Sequence, residues 1–193
     1  MQPMSDLNVA DVQKTGGQEY NSPHHSTSEH DRPQFDEDEV VTTASREGSG
    51  DTTLFSSALG FLKQNKGEHE QPIDEEGVQH AHRKAYEEGS ASSLSAGSLG
   101  SAAAMQVLKQ FTSSGSSSGG GSQSQLISLA MAEASKLFDK SGGASSGNKQ
   151  DAVNGAAMTV MKLLVQSKFS SGTVGGANSS GLGGLMGLAS KFM

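Results

Sequence analysis

The sequence predicts an all-α protein. It reads as a small bundle of about five short amphipathic helices joined by Gly/Ser-rich linkers, with a disordered acidic N-terminal tail and a short C-terminal helix. Three observations lead there. The dipeptide Ala-Met recurs at Ala104-Met105, Ala130-Met131 and Ala157-Met158, each time inside a segment with helical apolar spacing. Each segment ends near a phenylalanine followed by polar residues and a glycine, at Phe111 to Gly115, Phe138 to Gly142 and Phe169 to Gly172. Serine outnumbers even the 25 glycines, and hydrophobic residues make up only 33% of the chain, so any core is small and local. In such a core alanine lets helices approach closely and methionine fills irregular gaps. The boundaries that follow are a tail at 1–34, a helical domain at 35–171, and a Gly-rich linker with a short docking helix at 172–193.

Charge and composition narrow the function classes. The formal net charge is −7, unevenly spread: net −11 over residues 1–88 and +4 over residues 89–193. The bases of the second half are scattered lysines without arginine, which argues against a nucleic-acid surface. Zero cysteines exclude a disulfide framework, a thiolate metal site and a cysteine nucleophile. No run of 18 apolar residues occurs, so no transmembrane segment is predicted. Residues 1–14 lack a basic region followed by an apolar one, so no secretory signal is read. An intracellular, cytoplasmic location follows as an expectation, with the nucleus left open.

Residues 1–34 hold too few apolar side chains to offset the entropy of ordering. His24, His25 and His30 lie there beside Glu29 and Asp31, in a setting that favours a solvated polar tail over a metal site. Asp36 to Arg46 predicts a short helix. Its acids gather at the start, where the helix dipole favours negative charge, and Val40, Val41 and Ala44 form a narrow apolar side. Asp51 is the N-cap of the next helix. Leu54, Phe55, Ala58, Leu59 and Leu62 make one apolar face, widened by Phe61. Lys63 and Lys66 suit the helix C-terminus, and Gly67 is read as its left-handed stop.

Asp74 caps a helix running to about Glu88, with Gly89 as its stop. This helix is the candidate polar element: Glu76, His80, His82 and Tyr86. His80 and His82 are a tempting metal pair, but residues two apart on a helix lie about 200° apart around the axis and do not converge. Glu76 with His80, and His82 with Tyr86, are four apart and can touch. Of the further ligands a metal would need, only His69 and remote acids are available. A surface helix with a satisfied histidine packed on a neighbour is the preferred reading.

The first Ala-Met helix is predicted from about Leu99 to Thr112, with Leu99, Ala103, Val107 and Phe111 on one ridge and Ala104 and Leu108 beside it. Small residues at its start predict a close approach there. Ser113 to Gly121 reads as a flexible linker. The second helix opens on a capping-box pattern, Ser122 with Gln125 three on. Its stripe is Ile127, Ala130, Met131, Ala134 and Phe138, with Ser128, Ala132, Ser135, Lys136 and Asp139 assigned to the other side. The third helix is capped by Asn148. Its stripes are Val153, Ala156, Ala157, Val160 and Leu164, then Met158, Met161 and Val165, which makes it the most buried helix. Finally, Leu182, Leu185, Met186, Ala189 and Phe192 outline a short terminal helix. They are the candidate interaction surface, for the core, a partner or a membrane surface. Gly183 to Leu188 has no preceding strand and no Gly-Lys-Ser/Thr ending, so it is not a phosphate loop.

The run from Asp51 to Leu62, the His80–Tyr86 helix, Ala102-Ala-Ala-Met-Gln, Ala134-Ser-Lys-Leu-Phe-Asp, Lys149-Gln-Asp-Ala-Val-Asn and the ending Gly184-Leu-Met-Gly-Leu-Ala-Ser-Lys-Phe resemble a family of uncharacterised fungal proteins. Some of these are labelled "beta-flanking protein". The resemblance spans about residues 36–193. It implies a fungal intracellular protein with a domain of unknown function, and it supplies no catalytic residues. The function that follows is a non-enzymatic, soluble interaction or self-association module, with no cofactor and no bound metal. Its partner is a protein or a second copy, met through the face of residues 153–165 or the terminal segment 182–193. A peripheral lipid-surface binder through the C-terminal segment is one alternative, and a His-dependent metal-binding protein is another.

Overall fold

Each helix starts where a short polar side chain can accept the free backbone N–H groups of a first turn. In the computed structural model, which describes residues 33–113 and 122–170 with side chains to Ser167, Asp36 Oδ1 accepts from the Glu39 N–H at 3.0 Å and opens α1, Glu37–Glu47. Asp51 does the same for Leu54 at 2.8 Å and opens α2, Thr52–Gln64. Asp74 accepts from Gly77 at 2.9 Å and opens α3, Glu75–His82. Ser122 accepts from Gln125 at 3.1 Å and opens α5, Gln123–Lys140. Asn148 and Asp151 cap α6, Lys149–Ser170, reciprocally: each side chain accepts from the other's backbone N–H, at 3.0 and 2.9 Å. The remaining helix, α4, is Ala96–Ser113 and begins three residues before the predicted start.

The result is all-α: six helices among the described residues and no strand. The sixth, relative to the expected five or so, is α1, whose paired valines argue weakly for helix. Val40 and Ala44 seal it by becoming fully buried. One predicted stop is corrected. Gly67 does not take a left-handed conformation. Asn65 ends α2, its backbone N–H and side-chain amide both donating to the Phe61 carbonyl, and the chain runs on as a 3₁₀ turn at Lys66–Glu70. Gly89 does turn left-handed, at φ 64°, after a π-helical turn at Arg83–Glu87 that extends α3.

The three Ala-Met helices α4, α5 and α6 pack on one another, and the others cover them: α1 on α5, α2 on α6, α3 on α4. Predicted stripes become core. Leu99, Leu108, Ile127, Met131 and Leu164 are all at most 2% exposed, Met105 and Leu163 outside the named stripes are buried as deeply, and Phe111 and Phe138 are only half-buried. On α6 both stripes are buried, as its wide apolar circumference requires, so the face of residues 153–165, expected as an association surface, serves the core instead. On α5 the polar-side assignment needs correcting, because Ser128, Ala132 and Ser135 are buried as well. Small side chains allow it. Ser128 and Ser135 donate to carbonyls one turn back, at Gln125 and Ala132, so no hydroxyl is left bare. α1 occupies that side. The Asp36 N–H donates to Ser124 Oγ at 2.9 Å and the Ser49 N–H to Ser135 Oγ at 3.0 Å, tethering both ends of α1 along α5 in the same direction.

The expected close approach lies where α4 meets α6. A β-carbon at Gly100 would collide with the backbone at Ala152, Gly155 and Ala156, and one at Gly155 would lie 2.8 Å from the Gly97 carbonyl oxygen. One turn on in both helices, the hydroxyls of Ser101 and Thr159 are 3.0 Å apart. Gly97 opposite Gly155 and Ser101 opposite Thr159 advance together, so α4 and α6 run parallel. The α5–α6 loop is tied to the segment before α4. The Ala96 N–H donates to the Ser146 carbonyl and the Ser145 N–H to the Leu94 carbonyl, both at 2.8 Å.

Of the predicted tail only Pro33 and Gln34 are described; His24, His25 and His30 lie outside the described residues, as do residues 114–121 of the predicted linker and the C-terminal segment with Leu182, Leu185, Met186, Ala189 and Phe192. Among the described residues no helix is long and apolar enough to cross a membrane.

Candidate functional site

The candidate polar helix divides into two faces. Glu76 and His80 point to solvent, while His82 is buried and Tyr86 half-buried against α4 and α5. Four-residue spacing stacks the two rings, with centroids 5.2 Å apart and planes 27° apart. His82 Nε2 donates to Gln106 Oε1 on α4 at 2.8 Å. The Tyr86 hydroxyl donates to Glu133 Oε1 on α5 at 2.9 Å. Glu133 also faces Lys136 at 3.6 Å. Burial, then the Glu133 charge and the hydrogen bond to it, push the Tyr86 phenol well above its ordinary pKa, because each disfavours the phenolate.

His82 thus bridges packed helices, with one ring nitrogen committed to an amide oxygen. His80 does not join it. His69 is buried on the 3₁₀ turn that packs on α6. Among the described residues no group of three or more His, Cys, Asp or Glu side chains could hold a metal ion.

Beside Tyr86 lies a pocket of about 470 Å³ between the π turn and the C-terminal half of α5. Buried Ala85, Ala91 and Leu137 form its apolar floor. Tyr86 and Glu133 close one side, and the exposed Lys136 and Lys140 stand at the rim. Gly89, with its left-handed turn, also borders it. π turns inside helices often accompany functional sites, because the extra residue re-aims side chains out of the regular pattern.

Gln106, Glu133 and Lys140 escape a sequence reading focused on the apolar stripes, although a signal for the first two exists. Each Ala-Met pair is followed within two residues by a polar side chain that bonds another helix: Gln106 to His82, Glu133 to Tyr86, and Thr159 to Ser101. The repeat therefore carries cross-helix hydrogen bonds as well as packing. At the C-terminal end of α5, Lys149 donates to Asp139 and to the Ser49 carbonyl. Burial opposes the Asp139 charge, but the Lys149 ammonium and a hydrogen bond from Ser49 outweigh it and hold the carboxyl below its usual range.

No curated protein and no solved structure matches the chain. The family match is shorter than the resemblance over about 36–193 suggested, and it takes in the polar helix, Gln106 and the near wall of the pocket but not Glu133 or Lys140. A domain described as "Domain of unknown function (DUF7721)" is found at residues 36–116, from the Asp36 cap through α4.

Proposed function

We propose that the protein is a non-enzymatic association module that pairs with a second copy of itself through α2. The observation that carries this is on α2. Leu54 and Phe61, seven residues and so two turns apart, share a face and stay only half-buried. Both pack against the edge of the core with one side and leave the other side outward. Two large apolar side chains left partly exposed on one helix face form a surface that a second copy can cover. The non-enzymatic part is supported by how the polar groups are used. His82 is committed to Gln106, Tyr86 to Glu133 and Lys149 to Asp139, so these polar groups are engaged in holding helices together.

The test is the mass of the full chain in solution by light scattering on a sizing column. At tens of micromolar the unmodified chain is expected to run as a dimer. The Leu54→Asp/Phe61→Asp chain is expected to run as a monomer with the same helical circular dichroism. A monomeric unmodified chain overturns the proposal. The C-terminal candidates Leu182, Leu185, Met186, Ala189 and Phe192 give the competing contact. A dimer that survives the α2 substitutions but is lost on deleting residues 182–193 moves the interface there.

A further inference from the structure

The pocket beside the π turn lies apart from the α2 face, at the edge of the core. We propose that it is a binding site for a small carboxylate with an apolar body. Size comes first: about 470 Å³ falls inside the range of roughly 300–1,000 Å³ usual for small-ligand sites. Ala85, Ala91 and Leu137 give the apolar floor that a hydrocarbon body would cover.

The head group follows from the charges around the mouth. Lys136 and Lys140 are four apart on α5 and stand side by side at the rim. Lys136 is partly committed to Glu133 at 3.6 Å. Among the described residues no ion pair involves Lys140. Glu133 is the opposing charge, and the Tyr86 hydroxyl and Lys136 both offset it. The last carbonyls of α5 could also repel an anion. Three of them are already bonded, however: Leu137 by the Ser141 N–H, Phe138 by that of Gly143 and Asp139 by that of Gly142. A chain of net charge −7 therefore presents one apolar-floored pocket whose uncommitted charge is an ammonium. A carboxylate can take a charge-assisted hydrogen bond from it while its body displaces water from the floor.

The experiment uses three probes with one tail and three heads: octanoate, octanol and octylammonium. Tyr86 supplies the signal. The chain has no tryptophan and two tyrosines, so in the full-length Tyr20→Phe chain Tyr86 is the sole tyrosine fluorophore. Octanoate is expected to change its emission saturably, with octanol binding about tenfold more weakly and octylammonium more weakly still. Lys140→Ala is expected to bring octanoate down to the octanol level while leaving the thermal midpoint unchanged, since Lys140 is exposed. Lys140→Glu is expected to reverse the order of octanoate and octylammonium. Three results overturn the proposal: no saturable change with any probe, equal affinities for all three heads, or octanoate binding indifferent to both Lys140 substitutions. Tighter octylammonium binding by the unsubstituted pocket also overturns it, because Glu133 would then set the sign of the site.

Discussion

At the residue scale the Tyr86–Glu133 bond is the most consequential polar contact of the described structure. It joins the π turn to α5 across 47 residues and places a phenol where its ionised form is disfavoured. A hydrogen bond to a charged group contributes roughly 1.5–3 kcal/mol. Tyr86→Phe is therefore expected to lower the unfolding free energy by about 2 kcal/mol at neutral pH, read from urea titration. The pH dependence has a definite sign. The phenol's folded pKa is raised above its unfolded value near 10, so its contribution is complete below about pH 10 and shrinks as pH rises beyond it. The stability difference between the native chain and Tyr86→Phe should thus narrow above about pH 10, whereas a constant difference up to pH 11 would show that the phenol is not held neutral. The His82–Tyr86 contact was legible in the sequence, because four-residue spacing on a helix fixes it. The partners Gln106 and Glu133 were not. They are 24 and 47 residues away, and only the packing of whole helices decides which polar side chain meets which ring.

At the element scale, what was legible was local. Asp51, Asp74, Ser122 and Asn148 cap their helices as read because a cap is settled within three residues, and Asp36, read only as one of the acids at the start of α1, caps it in the same way. The apolar stripes of α4, α5 and α6 found the core because periodicity alone decides which face is buried. The buried serine side of α5 was not legible. Its burial depends on α1 arriving there, and serine is at home on either surface. The α4–α6 crossing was half legible. The small residues at the start of α4 announce a close approach, but nothing local names Gly155 as its counterpart. Glycine-to-alanine exchange separates crossing from open surface. In a helix interior alanine is favoured over glycine by about 1 kcal/mol. Gly60→Ala is expected to raise the unfolding free energy by about that amount, since its β-carbon meets open space. Gly100→Ala is expected to lower it by about 2–3 kcal/mol despite the same propensity gain, because the helices must be pushed apart. Thermal unfolding of the two chains reads both signs. Equal shifts would mean that α4 and α6 do not touch at Gly100.

At the scale of the whole molecule, the matched domain and the packed unit do not coincide. Residues 36–116 hold α1 to α4, yet α1 rests on α5 and α2 on α6, and α4 packs on both α5 and α6. Cut at 116, the chain would bare Leu99, Met105 and Leu108 and would lose Ser124 and Ser135, the hydroxyls that accept from the Asp36 and Ser49 N–H groups. A fragment of residues 36–116 is expected to give no cooperative thermal transition by circular dichroism, whereas the full chain gives one. A sigmoidal melt of the fragment would show that α1 to α4 hold their own core.

The parallel pairing of α4 with α6 also sets the tempo of assembly. Helical bundles built from neighbouring antiparallel pairs close by short-range steps and fold quickly. Here Ser101 must find Thr159, 58 residues away, and α5 has to be traversed before the two glycine faces can meet. The chain thus carries, within an all-helical fold, the long-range closure more usual in sheets, and pays its entropy before the contact returns anything. The tie from Ala96 to Ser146 and from Ser145 to Leu94 shortens that search, since once it forms, the first turns of α4 and α6 are already side by side.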